Sequence, residues 1–379
     1  MISDKNMASP RVRWSFLAII FVVFLAGCGS AKKKPAELPP NAALIVIKQV
    51  WTAPIGDVRF PLQIRASEGS IGVAASDGTV ALFDAAGGRE LWRVKAGAPI
   101  AAGVGGLGTR WSVYTRGNEL LAIDSGAVSW RTKQSTPSYT PPLVAGGRIF
   151  MLMADRSVAA FDGGSGRRLW LQQRPTEPLA LRQAGLLMPV GNTLVAGLSG
   201  RMVGMSPDNG NPLWEVAIAS PRGTNDVERL VDVVDHVSRI GDVICARAFQ
   251  AAVGCVDAGR GTLLWTKPAN GFEGLGGDER LVFGTESDGT VRAWQRADGE
   301  AAWSTDRLKY RRLSAPLALG RSIAIGDNFG LVHFLSREDG SPLTRVATDG
   351  SPIAAGPVLA GDTLIVVTQK GGVFAFRPE

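Results

Sequence analysis

From residue 44 to the C-terminus the chain is written in short apolar runs separated by turns that carry Gly, Asp, Asn or Ser. In Val80-Ala81-Leu82-Phe83-Asp84 both alternating positions are apolar or small, the pattern of a strand packed on both faces. The run belongs to a repeating unit: strand, acidic or polar residue, glycine four later, tryptophan four after that. It appears as Asp84, Gly88, Trp92; Asp162, Gly166, Trp170; Ser206, Gly210, Trp214; Asp257, Gly261, Trp265; and Gln295, Gly299, Trp303. Ser336 and Gly340 continue it with Thr344 in the tryptophan's place, and a shortened copy keeps the Gly126 to Trp130 spacing. The polar side chain accepts from N–H groups just ahead and the glycine supplies a positive φ, so each unit predicts a hairpin corner. The tryptophan opens the next strand and offers a large apolar body for packing between units.

Anchors at 51, 92, 130, 170, 214, 265, 303 and 344 give seven intervals over 293 residues, close to 42 each. That is the length of a four-stranded propeller blade. Long helical periodicity is absent and 47 glycines mark frequent turns. The last unit supplies three strands and ends at Glu379 without a tryptophan, while Leu44 to Trp51 is a strand without a blade. Joining the two closes the ring and removes an open edge. The prediction is all-β: an eight-bladed β-propeller over residues 42–379, of four-stranded antiparallel blades, the N-terminal strand completing the last.

Ahead of it, Lys5, Arg11 and Arg13 precede an apolar stretch of 12 residues, Trp14 to Leu25. This is short for a membrane span, which needs about 20 apolar residues, and suits a signal peptide over 1–27. Leu25-Ala26-Gly27-Cys28 resembles the bacterial lipobox, which implies acylation of Cys28. Gly29 after the cysteine, rather than aspartate, favours the periplasmic face of the outer membrane as the address. Residues 28–41, lysine- and proline-rich, are expected to be the lipidated tether.

The formal charge is +7, of which the signal segment holds +2, and no long basic run follows the tether; nucleic acid is not an expected partner. Cys245 and Cys255 flank a predicted hairpin, either as a cross-strand disulfide or as two buried thiols. Gly103 to Gly108 matches G-x-G-x-x-G, but a strand-like segment follows where a dinucleotide site needs a helix. His236 and His333 stand far apart without metal-ligand spacing, and there is no nucleophile elbow or C-x-x-C. No catalytic residue, metal or cofactor is expected.

Where repeats are uniform, extra length maps to functional loops. Intervals 170–214 and 214–265 exceed the mean, at 44 and 51 residues, and lie on adjacent blades. The first contains Leu179-Ala180-Leu181-Arg182 and the second Arg229-Leu230-Val231-Asp232-Val233-Val234-Asp235, apolar anchors beside charges as in a protein-binding patch. The repeat is similar to the docking motif of quinoprotein dehydrogenases, but those are longer and often carry adjacent cysteines, which this chain lacks. Lipobox, tether and eight repeats together resemble the BamB family of the β-barrel assembly machinery. The 179–182 segment is similar to that family's leucine-x-leucine-arginine loop, and 229–235 to its arginine-leucine segment followed by two aspartates. Residues 326–333 and 338–340 look like its seventh blade. The resemblance implies a non-catalytic scaffold in which Leu179, Leu181, Arg182, Asp232 and Asp235 bind the POTRA domains of a BamA-type subunit, promoting assembly of outer-membrane β-barrel clients. The family's aspartates are one residue apart, here two, so Asp232 is the surer match. A degenerate quinoprotein and a cell-wall or carbohydrate-binding propeller are the alternatives.

Overall fold

The structure, a computed structural model, describes residues 33–379 apart from 175–178, 222–223 and 227–228. The signal segment and Cys28 lie outside the described residues, as do parts of both long loops. All described regular structure is β-strand, in eight four-stranded antiparallel sheets. Seven blades use consecutive strands, over residues 65–95, 100–133, 143–172, 187–217, 238–268, 275–305 and 317–347. The eighth joins Val358–Ala360, Thr363–Val367 and Gly372–Pro378 to the outer strand Ile47–Pro54, with Ile47 opposite Pro378 and Pro54 opposite Gly372. The predicted closure is what the structure has. The middle strands of each blade are buried on both faces, and the apolar clusters lie between neighbouring blades.

The repeat motif proves to be a docking device between blades. Five corners are tied as predicted, at Asp84, Asp162, Ser206, Asp257 and Ser336: the Gly87 N–H, for example, donates to Asp84 Oδ1 at 2.7 Å and the Ser165 N–H to Asp162 Oδ1 at 2.8 Å. Each motif tryptophan then lies over the corner glycine of the next blade, Trp51 over Gly88, Trp130 over Gly166, Trp265 over Gly299. A Cβ on Gly88 would come within 2.4 Å of the Trp51 ring, so the glycine is needed for close approach as well as for its φ of +72°. The indole N–H donates to a carbonyl of the same corner: Trp51 to Ala85, Trp170 to Pro207, Trp303 to Arg337, at 2.9–3.0 Å.

This explains why the seventh unit carries Thr344. The eighth blade takes its outer strand, Ile47–Pro54, from the N-terminal side, so it has no hairpin corner on which a tryptophan at 344 could dock. The N-terminal stretch occupies that place instead. Asn41 accepts from the Arg345 N–H at 3.0 Å and donates to the Arg345 carbonyl at 3.2 Å and to Thr344 Oγ1 at 3.4 Å. The Ala36 N–H donates to the Lys309 carbonyl and the Leu44 N–H to the Leu343 carbonyl, and Leu38 packs into the cluster of blades 6 and 7. From Ala36 onward the expected tether is a strap laid along blade 7.

Two other motifs resolve into structure. The Gly103–Gly108 run falls in the inner strand Ile100–Leu107 of blade 2, where a Cβ on Gly105 would meet the Pro142 carbonyl at 1.6 Å and one on Gly106 the Trp111 ring at 2.1 Å. Its glycines serve close packing, and the strand Arg110–Thr115 follows. Cys245 and Cys255 face each other across two strands of blade 5 as a disulfide.

The seventh-blade signature is a buried network. Asp327 Oδ2 lies 2.9 Å from His333 Nε2 and accepts from Arg311 Nη1 at 2.8 Å; Oδ1 accepts the Phe329 and Leu331 N–H groups at 2.8 and 3.0 Å. Burial alone would raise the Asp327 carboxyl, but the hydrogen bonds from His333 and these N–H groups hold it below the usual range. A depressed folded value contributes stability that is present above the unfolded value of about 3.9 and is lost as pH falls through the folded one. Thermal melts of wild type are therefore expected to drop steeply below about pH 4. Asp327→Asn should melt lower at neutral pH and lose less on acidification; parallel pH profiles of the two proteins would contradict this.

Candidate interaction site

Loops that join one blade's outer strand to the next blade's inner strand gather on one face of the ring, here the crossover face. The two longest, 173–186 and 218–237, are the intervals that exceed the repeat, and the structure brings them together. The Leu186 N–H donates to the Val233 carbonyl at 3.2 Å and the Asp235 N–H to the Ala184 carbonyl at 2.9 Å. On the other side the Val234 and Phe249 N–H groups donate to the Arg247 and Asp232 carbonyls, tying the segment to blade 5. Val231, Val233 and Val234 are buried, so their apolar side chains fasten 231–235 to the ring.

On this base the Leu179 side chain stands 39% exposed, and Leu181 is partly buried. Arg182 is exposed, its guanidinium 5.7 Å from the centre of the Tyr139 ring. An apolar anchor beside an aromatic-stacked arginine is the composition of a binding hot spot.

The two aspartates do different things. Asp232 lies beneath the loop: its Oδ2 accepts the Leu181 N–H at 3.1 Å, and both oxygens accept from Arg156, at 3.0 and 3.3 Å. Arg156 in turn donates to the Leu179 carbonyl at 2.7 Å. With side chains 9% and 16% exposed, Arg156 and Asp232 form a clamp that shapes Leu179 to Leu181 and offer a partner little surface. Asp235 lines a different place, the funnel at the centre of the crossover face, where burial raises its carboxyl and neighbouring His236 partly offsets this. The spacing made Asp232 the surer match of the two, and the structure gives the two side chains different surroundings.

Arg156 is a residue that sequence reasoning missed, though it left a signal. It occupies the turn between the second and third strands of blade 3, with a φ of +60°. In blades 1, 6, 7 and 8 the same position is Gly78, Gly289, Gly330 and Gly371, all at positive φ. An arginine held in the left-handed region where half the blades use glycine marks a side chain with a task.

The fold has known counterparts. Residues 76–305 match the family model described as outer membrane protein assembly factor BamB. The chain is 36% identical over 365 residues to the outer membrane protein assembly factor BamB of Burkholderia pseudomallei, covering 94% of this chain and 96% of that one. It is 33% identical over 384 residues to that of Bordetella pertussis, covering 98% and 99%. Among solved structures, BamB from Moraxella catarrhalis aligns with a TM-score of 0.80 at 24% identity, over 88% of this chain and 100% of that one. The quinohemoprotein alcohol dehydrogenase of Comamonas testosteroni aligns at 0.67 and 14%, over 90% and 78%. At such identities these two structures speak for the fold alone; the relatives' identity and coverage carry the assignment. The chain belongs to the BamB family of outer membrane protein assembly factors.

Proposed function

We propose that this protein is a non-catalytic scaffold lipoprotein of the β-barrel assembly machinery. It hangs from the periplasmic face of the outer membrane by acylated Cys28 and binds the POTRA domains of a BamA-type subunit, so promoting insertion of outer-membrane β-barrels. The observation that carries the reading is the meeting of the two over-long loops, which presents Leu179 and Arg182 on a clamped backbone. Leu179, Leu181 and Arg182 make the contact in this reading; Asp232 holds them in place, and Asp235 acts from the funnel beside them. The test is capture of isolated POTRA domains by the full chain and by Leu181→Ala/Arg182→Glu. Wild type is expected to retain them and the double variant to lose at least about tenfold in affinity, as for a hot-spot pair. Full capture by the variant would remove the site assignment; no capture by wild type would remove the function.

A further inference from the structure

The centre of the crossover face is a funnel of about 820 Å³. That is near the upper end of the volumes that enclose small ligands and leaves room for a short extended peptide. Its wall mixes apolar side chains such as Val58, Leu62 and Phe60 with arginines from separate elements. Arg116 comes from a turn of blade 2, Arg182 from the loop between blades 3 and 4, and Arg312 from the loop between blades 6 and 7. Blade 2 and the blade 6–7 junction lie on opposite sides of an eight-bladed ring. The cations therefore surround the mouth instead of forming one cluster.

All three arginines are exposed, and among the described residues none has a carboxylate within ion-pair distance. Two rest on aromatic faces: Arg182 on Tyr139 at 5.7 Å and Arg312 on Phe272 at 5.5 Å. Stacking occupies the face of a guanidinium and leaves its in-plane N–H donors for a carboxylate. The funnel's own acids are both perturbed by burial. It raises the carboxyl of Asp235, and it raises Glu273 to about 7 despite Arg312 and Arg247 nearby, so Glu273 is only a partial anion at neutral pH.

We propose that this funnel is a second recognition site, taking an acidic, extended polypeptide segment whose carboxylates pair with Arg116, Arg182 and Arg312 while its apolar side chains meet the wall. A single small anion reaches one arginine, whereas a segment crossing the mouth reaches cations on both sides. The site shares Arg182 and the funnel-lining Asp235 with the proposed POTRA interface, but Arg116 and Arg312 lie outside that interface, so it stands whether or not the leucine loop binds POTRA domains.

The experiment is fluorescence anisotropy of the detergent-solubilised full chain with two labelled peptides. One alternates Asp or Glu with Phe or Leu; the other has Asn and Gln in place of the acids. The acidic peptide is expected to bind at least about tenfold more tightly than its amide twin, and to weaken as ionic strength rises from about 0.05 to 0.5 M. Arg116→Ser/Arg312→Ser should lose roughly tenfold or more with unchanged circular dichroism and melting, while Leu181→Ala leaves peptide binding intact. Equal binding of the two peptides, or an undiminished double variant, would overturn the proposal. So would saturation of the site by inorganic phosphate or anionic phospholipid vesicles with no binding of the acidic peptide, which would make it an anion or headgroup site.

Discussion

Trp51→Ala is expected to lower stability by about 3 kcal/mol, a melting shift of roughly 5–10 °C. The ring of Trp51 is partly buried, so the low end of the range for Trp→Ala applies. The lost indole bond to the Ala85 carbonyl adds to the cavity. The residue sits where the ring closes: its strand pairs with the C-terminal strand, helped by Thr52 donating to the Val373 carbonyl and Lys48 pairing with Glu379, and its side chain fastens that strand to blade 1. Gly88→Val attacks the same contact from the other side, through a Cβ only 2.4 Å from the Trp51 ring and a φ of +72°. The two costs should therefore not add, and a double-mutant cycle by urea denaturation should give coupling on the order of 1 kcal/mol or more. Additive costs would mean that the docking is incidental. The control is Thr344→Trp, which restores the repeat at its one exception. It should bring no gain and displace Asn41, because no corner follows in blade 8; a stabilised Thr344→Trp would show that the strap is not what replaces the tryptophan.

How much of this is legible beforehand depends on whether a residue acts within its repeat or between repeats. The spacing of Asp84, Gly88 and Trp92 reports a local corner and, by its period, the number of blades. Ring closure through Trp51 follows because an unpaired strand at one end and a missing strand at the other are both visible in the chain. What the glycine does for its neighbour's tryptophan is not visible, because the partners are a blade apart and the motif reads equally well as a turn. The same holds for the site. Its loops announce themselves by length, yet which aspartate clamps the backbone and which lines the funnel depends on side chains from blade 3. Asp232 and Asp235 differ by three positions along a segment fastened on both edges, so one faces the leucine loop and the other the axis. The strap over blade 7 was hidden for a different reason. Its proline- and lysine-rich composition is that of a solvated linker, and it adheres through Ala36, Leu38, Asn41 and Leu44.

The clamp beneath the leucine loop yields the other large effect. Asp232→Ala is expected to cost about 3 kcal/mol, since it leaves the Arg156 guanidinium in a site 9% exposed without its carboxylate and frees the Leu181 N–H. Arg156→Gly gives the more telling comparison. On the backbone it is favourable, because glycine relieves the φ of +60° and matches blades 1, 6, 7 and 8. Its side-chain losses are the bonds to Asp232 and to the Leu179 carbonyl. Global stability should thus fall less than in Asp232→Ala, while the loop is released in both. Release is measurable as tryptic cleavage at Arg182, expected to quicken roughly tenfold or more as the local opening free energy drops. Capture of POTRA domains should weaken in both variants in proportion to loop release and not to melting temperature, although neither residue offers much surface for contact. If Arg156→Gly cleaves no faster than wild type, the clamp does not hold the loop; if it cleaves faster yet captures fully, the loop is not the binding site.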